Sequence, residues 1–427
     1  MPKMGPLYFL LKIFIYFHSI LHSSKLSPPT YAPLASLYMY TLLHIFSHIT
    51  MSQSDQTCTS RDHSSSLAPP PPYLHAHHQC IGTLKGQNSY TSSLLVTGKF
   101  LVTGSSNKEI RLQNRDAYED PTNDNNMVVA GNGAVKALIA SADKIISAHQ
   151  DHKIRVWKID VDQKFAQLHT LPTLGDRAIK LLLPKNHIQI RRHKTCTWVH
   201  HVDTVSALAL SSDETLLYSV SWDRSLKIWR TTDFKCLESV ANAHDDAINA
   251  ITVSDDNHVY TGSSDNKIKV WKKSEKKHSL VAILEKHDSG VNALAISNMD
   301  GTILYSGGSD GSILVWRDEG GGSGMVVVGP LRGHTKSILC LAVVLDLVCS
   351  GSADKTVRIW RGFGNIYSCL AVLEGHKGPV KCIAVTFDHS PNVLDAISTY
   401  ILYSASLDCD IKVWKVFCPS ILTHANI

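Results

Sequence analysis

The eleven residues TGSSDNKIKVW, 261–271, decide the fold. Residues 261–264 continue an apolar run begun by Val259 and Tyr260. Asp265 opens a tight turn, because an aspartate carboxylate accepts backbone N–H groups two residues on. Ile268 and Val270 then alternate with Lys267 and Lys269 and end at Trp271. That is the period-two pattern of a half-buried strand. The phrase therefore reads strand, Asp-led turn, strand. It recurs as TGSSNKEIRLQ (103–113), SAHQDHKIRVW (147–157), SVSWDRSLKIW (219–229), SGGSDGSILVW (306–316), SGSADKTVRIW (350–360) and SASLDCDIKVW (404–414). An apolar strand such as 247–253 or 337–343 precedes each hairpin, and a shorter one such as 235–240 or 280–284 follows.

Four strands per repeat predict an all-β chain: a seven-bladed β-propeller of four-stranded antiparallel blades. The phrase endings fall 44, 72, 42, 45, 44 and 54 residues apart. The interval of 72 holds an insertion, placed at 173–199, and the 54 holds a shorter one at 387–400. No second Ser–x–Asp hairpin lies within 158–200, so the long interval does not hide another blade.

Over 79–415 these residues resemble the WD40 family, on six Trp endings and six Asp turns in register. The resemblance implies a buried tetrad of His, Ser/Thr, Asp and Trp in each blade. The matching sets are His201, Asp223 and Trp229; His244, Asp265 and Trp271; His287, Asp310 and Trp316; His334, Asp354 and Trp360; and His376, Asp408 and Trp414. The fourth member is one of two hydroxyl residues on the strand, such as Ser219 or Ser221. Two blades depart. The first has Gln87, Asn107 and Gln113 at the His, Asp and Trp positions, and the second keeps Asp151 and Trp157 but has Gly131 for His. Both are expected to be weakly held, since a broken buried network costs roughly 1–3 kcal/mol. The stretches 170–210, 219–250 and 331–343 look like the JINGUBANG-type plant WD40 proteins, which implies a plant regulatory protein without catalysis.

The chain ends are read separately. Residues 1–50 are apolar and carry +3 of the formal net charge of +5 on Lys3, Lys12 and Lys25. They are expected to be an upstream extension or a targeting segment, dispensable for folding, with an ordinary soluble start at Met51. Residues 51–78 are Ser- and Pro-rich and read as a disordered lead-in, and HAHH at 75–78 reads as incidental rather than metal-binding. Residues 79–86 are expected to close the ring as the outer strand of the last blade, beside 410–414, leaving 416–427 as surplus. The ten cysteines lack any CxxC pair, and several, such as Cys340, Cys349 and Cys382, read as small buried hydrophobes, which suits a reducing compartment, the cytoplasm and also the nucleus.

The chain is near neutral beyond residue 50, so it has no bulk electrostatic footprint for nucleic acid. No phosphate-binding glycine loop, nucleophile pair or metal triad appears, and the histidines are spread one per blade. The chain therefore reads as a monomeric, non-enzymatic scaffold for protein partners, without cofactor or metal. The candidate partner surface is the narrow face carrying the Asp turns. Trp222 is its leading residue, because exposed aromatics dominate binding hot spots. Around it the sequence places Arg224, Asp203, Thr204, Asp245, Asp246, Ser309 and Lys336. The alternative surface is the insertion, where Arg177, Lys180, Lys185, Arg191, Arg192 and Lys194 face one acid, Asp176. Such a segment suits nucleic acid or anionic lipid. Some WD40 proteins recruit cullin-type ubiquitin ligases through a Trp–Asp–x–Arg/Lys ending. Here the endings are Trp–Arg or Trp–Lys, which argues against that role.

Overall fold

The structure, a computed structural model, describes residues 75–85, 89–115, 127–129, 131–159, 165–173, 175, 187–191, 194–274, 277–299, 302–318, 324–388 and 397–419. Seven antiparallel four-stranded sheets form the blades of a propeller. Blade four is representative: Ile248–Val253, Val259–Ser263, Ile268–Ser274 and Lys277–Leu284 pair in chain order. Its inner strand is bulged between Ile248 and Ala250, and each of the seven inner strands carries a bulge one residue past its first core residue. Among the described residues no helix is long and apolar enough to cross a membrane.

The core lies between blades. Tyr260, Ile268 and Val270 of blade four pack on Val291, Leu304 and Trp316 of blade five. This contact explains the small residue inside each repeated phrase. A Cβ on Gly262 would stand 2.7 Å from Val291 Cγ1 of the next inner strand. The alternating lysines are not all solvated. Lys227 is 2% exposed, because its Nζ donates to the Trp198 carbonyl and to Ser239 Oγ.

Strand His77–Lys85 closes the ring against Asp410–Pro419, with Cys80 opposite Trp414 and Leu84 opposite Ile411. The closing strand thus begins two residues earlier than expected, inside the stretch read as lead-in. His77 and His78 alternate along it. His77 stacks on Phe417 at 6.0 Å, and His78 meets the edge of Trp414 at 6.3 Å. The stretch 416–419 is not surplus. It extends the strand, Tyr400 opposite Val416, and both Val416 and Cys418 are buried. The part of the expected lead-in before residue 75, the 1–50 extension and residues 420–427 lie outside the described residues.

The insertion contributes its own two-stranded sheet, His187–Arg191 with Lys194–Thr197, outside the seven blades. Its end needs correcting. Val199 is 0% exposed and joins the core between blades two and three, so 198–199 belong to the propeller. Arg177, Lys180, Lys185 and Arg192 lie outside the described residues, and for Arg191 only the backbone is described.

Candidate partner-binding face

Each latched blade uses the same chain of donors. In blade three Trp229 Nε1 donates to Ser219 Oγ at 2.9 Å, and Ser219 Oγ lies 2.8 Å from His201 Nε2. His201 Nδ1 lies 3.1 Å from Asp223 Oδ2. An indole can only donate and a carboxylate can only accept, so the direction is fixed. The serine O–H donates to Nε2, and the neutral ring donates from its Nδ1–H to Asp223. Of the two hydroxyls left open by the sequence, Ser219 is the tetrad member. Ser221 accepts the Asp223 N–H and donates to the Asp203 carbonyl, which fixes the turn. Blades four, six and seven repeat the chain through Thr261, Ser350 and Ser404, with His–Asp separations of 2.8, 2.8 and 3.0 Å.

Burial lowers His201, His244, His287, His334 and His376 below the usual imidazole range, against the pull of their aspartates. Burial alone would raise Asp223. The His201 ring and the bonds from Ser225 and Val202 outweigh it and hold the carboxyl well below its ordinary range.

Blade five is the loosest of the five. His287 Nδ1 stands 3.8 Å from Asp310 Oδ2, beyond hydrogen-bond range, and Nδ1 is buried without a partner. The cause is Gly308, which replaces the turn-fixing serine. Asp310 Oδ1 lies only 2.6 Å from where a Cβ there would stand, so the carboxylate has moved into the vacated space. It keeps the cap on Ser312 that the other turn aspartates also make two residues on.

Blade two is not the broken blade that Gly131 suggested. His149, on the strand two residues before Asp151, lies 2.7 Å from Ser147 Oγ through Nε2, and Trp157 donates to the same oxygen at 2.7 Å. Asp151 takes a bidentate pair from Arg155. That guanidinium fills the histidine's usual place, for a Cβ on Gly131 would stand 2.2 Å from Arg155 Nη2. Burial pushes His149 down to about 4, and the Arg155 charge adds to the effect. In blade one Asn107 takes the Asp role at the turn, receiving bonds from Ser105 Oγ and the Glu109 N–H. Gln113 Oε1 is buried without a partner, and Gln87 lies outside the described residues.

The latches leave the turn tips outward. Trp222 is 41% exposed, and Lys136 Nζ from blade two sits 5.3 Å from its ring centroid. The indole is therefore a platform already carrying one cation. Arg224, Asp203, Asp245, Asp246, Ser309 and Lys336 are exposed at the same level of their blades. Thr204 departs from the expectation: it is 2% exposed, and its carbonyl accepts the Trp222 N–H. The sequence reading missed Lys136 and its counterpart Lys381. Their signal is position, one residue past the first core residue of an inner strand.

A closed ring of blades, blades two to seven each latched by a buried His–Ser/Thr–Trp chain, is an architecture that presents surfaces. Five stretches of this chain match the family model WD domain, G-beta repeat: 193–230, 234–272, 278–317, 325–361 and 367–415. These five stretches build blades three to seven, so the chain carries WD40 repeats within its seven-bladed propeller. It is similar to Target of rapamycin complex subunit LST8-1 of Arabidopsis thaliana, 27% identical over 55% of this chain and 81% of that protein. It is also similar to the ribosome biogenesis protein ytm1 of Emericella nidulans, 25% identical over 52% of this chain and 38% of that protein. Cell division control protein 4 of Candida albicans is 32% identical over 23% of this chain, and the match spans only 13% of that protein. Propellers of this family generally bind other proteins and are generally not catalytic.

Proposed function

We propose that this chain is a non-enzymatic, monomeric scaffold that joins protein partners through its narrow face, in plant signalling or growth regulation, in the cytoplasm and nucleus. The observation that carries the reading is Trp222. The blade around it is fully latched without it, so its exposure serves no need of the fold. A relative whose printed name makes it a complex subunit supports a role in assemblies. The resemblance to JINGUBANG-type proteins supports the plant regulatory setting.

Under this reading Trp222→Ala weakens a purified partner by about 2 kcal/mol while the thermal melt stays nearly unchanged. Reversing the charge of Arg191 and Arg192 has little effect. Measuring both variants against one partner at two salt concentrations tests the reading. If the arginine variant is the damaging one and salt abolishes binding, the basic insertion is the binding surface, toward nucleic acid or anionic lipid. If Trp222→Ala melts much lower and binds normally, the indole is part of the core.

A further inference from the structure

In blades two to six the outer strand carries one extra residue beside the Trp that ends the repeated phrase. The pairing skips Leu168, Leu237, Val281, Val328 and Leu370 in turn, all of them apolar. Such a residue on the outermost strand of a sheet meets solvent unless another segment covers it. Blade six shows what covers it. Leu370 is 3% exposed, the Ala76 N–H donates to its carbonyl at 3.0 Å, and both residues join one buried cluster. Ala76 belongs to the short stretch of chain that leads into the closing strand His77–Lys85. Here, then, a passing segment of chain is seated on the bulge of an outer strand.

Blade four has the same bulge uncovered. Val281 is 51% exposed, and its neighbours Leu280 and Ile283 are exposed as well. Their strand, Lys277–Leu284, is the last of its sheet and pairs only with Ile268–Ser274. The other edges are less apolar or blocked. Gln167 and His169 flank Leu168 on blade two, and blade five carries Pro330, which has no N–H to offer. On blade three Glu238 follows Leu237, and its carboxylate accepts the His278 N–H of blade four. That bond closes one end of the blade-four edge and leaves Leu280 to Ile283 free. Exposed Lys272, Lys273 and Lys277 stand at the closed end, opposite Ser279, His278 and Ser274. Among the described residues none of these three lysines forms an ion pair. A positive end beside an apolar edge favours an apolar segment flanked by acids. Residues 1–50 of this chain hold three lysines and no acid, so they are the wrong occupant.

We propose that the outer edge of blade four, centred on Val281, binds an extended apolar segment of a protein partner whose acidic residues lie toward Lys272, Lys273 and Lys277. The segment joins the edge as Ala76 joins blade six, with backbone bonds for affinity and the exposed side chains for selection. The site lies on the outer wall of the propeller and goes beyond the narrow-face reading. The test uses the full chain and end-blocked, dye-labelled peptides of alternating valine and threonine, with a run of glutamates at the amino or at the carboxyl end, followed by fluorescence anisotropy. Expected is saturable one-to-one binding of one of the two. It is about tenfold weaker in Val281→Ser and in the Lys272→Gln, Lys273→Gln, Lys277→Gln triple variant, whose melts are unchanged. Leu168→Ser on blade two and Trp222→Ala leave it intact, and the same peptides with lysine for glutamate do not bind. The proposal is overturned if neither glutamate peptide binds saturably, if Val281→Ser binds as the parent does, or if the lysine peptides bind equally well. Peptide binding lost with Trp222→Ala puts the peptide on the narrow face, which overturns this inference and leaves that reading standing. A parent chain that sediments as a dimer, with Val281→Ser a monomer, also overturns it, because a second copy then covers the edge.

Discussion

Deleting residues 75–85 from the full chain lowers the thermal midpoint by about 10 °C, the largest effect expected of any short deletion. The deletion removes the strand paired with Asp410–Pro419 and reopens the seam between the first and last blades. It also uncovers apolar surface. Ala76 packs in the core under Tyr400 and Trp414, and Ile81 and Leu84 pack against the cluster of Leu101, Tyr403 and Val413. Exposing roughly 200 Å² of apolar surface costs on the order of 5 kcal/mol. Differential scanning calorimetry of parent and deletion checks this. A midpoint within a degree or two of the parent would mean that the ring does not depend on its first strand. Truncation at residue 415 is also costly, since it removes the buried Val416 and Cys418.

Mild acid destabilises the protein well before any carboxylate titrates. Six buried histidines, the five tetrad rings and His149, have folded-state pKa values below the ordinary 6.5. As pH falls through 6.5 the unfolded chain takes up protons that the folded chain refuses. Stability is therefore complete above 6.5 and declines below it, by up to about 1.4 kcal/mol per pH unit for each ring. His149, at about 4 in the folded state, accounts for about 3 kcal/mol of this loss by itself. The aspartate partners of the tetrad rings act later. Asp223, Asp265, Asp354 and Asp408 have lowered folded values, so their contribution is present above the ordinary carboxylate range and is lost only as pH falls below it. Thermal midpoints are expected to be flat from pH 8.5 to 7.5 and to fall steeply from pH 6.5 to 5. A midpoint unchanged down to pH 5 would mean that the rings protonate without cost and are not buried neutral.

Blade count and hairpin register were legible because the phrase around each Asp turn combines a period-two strand with a Trp at fixed distance, and both signals are local. His149 was not, because it reaches Ser147 from the strand rather than from the preceding loop, so no spacing rule points to it. Arg155 looked like an ordinary polar alternation. Its role appears only once the space above Gly131 is seen to be filled. Thr204 was misjudged because a polar side chain beside a turn reads as exposed, yet here it is 2% exposed. Lys136 escaped notice because its contact with the Trp222 ring joins two blades and residues far apart in sequence. The loosened contact at Asp310 follows from one glycine, a local departure whose effect on a distance no pattern conveys.

Hydrogen–deuterium exchange on the full chain, with and without a partner captured from its own tissue, tests the functional account most directly. The account predicts new protection at 133–137, 202–206, 221–225 and 379–382, the segments that bring Lys136, Trp222 and Lys381 to the narrow face. Protection confined to 187–197, with those four segments unchanged, would contradict it.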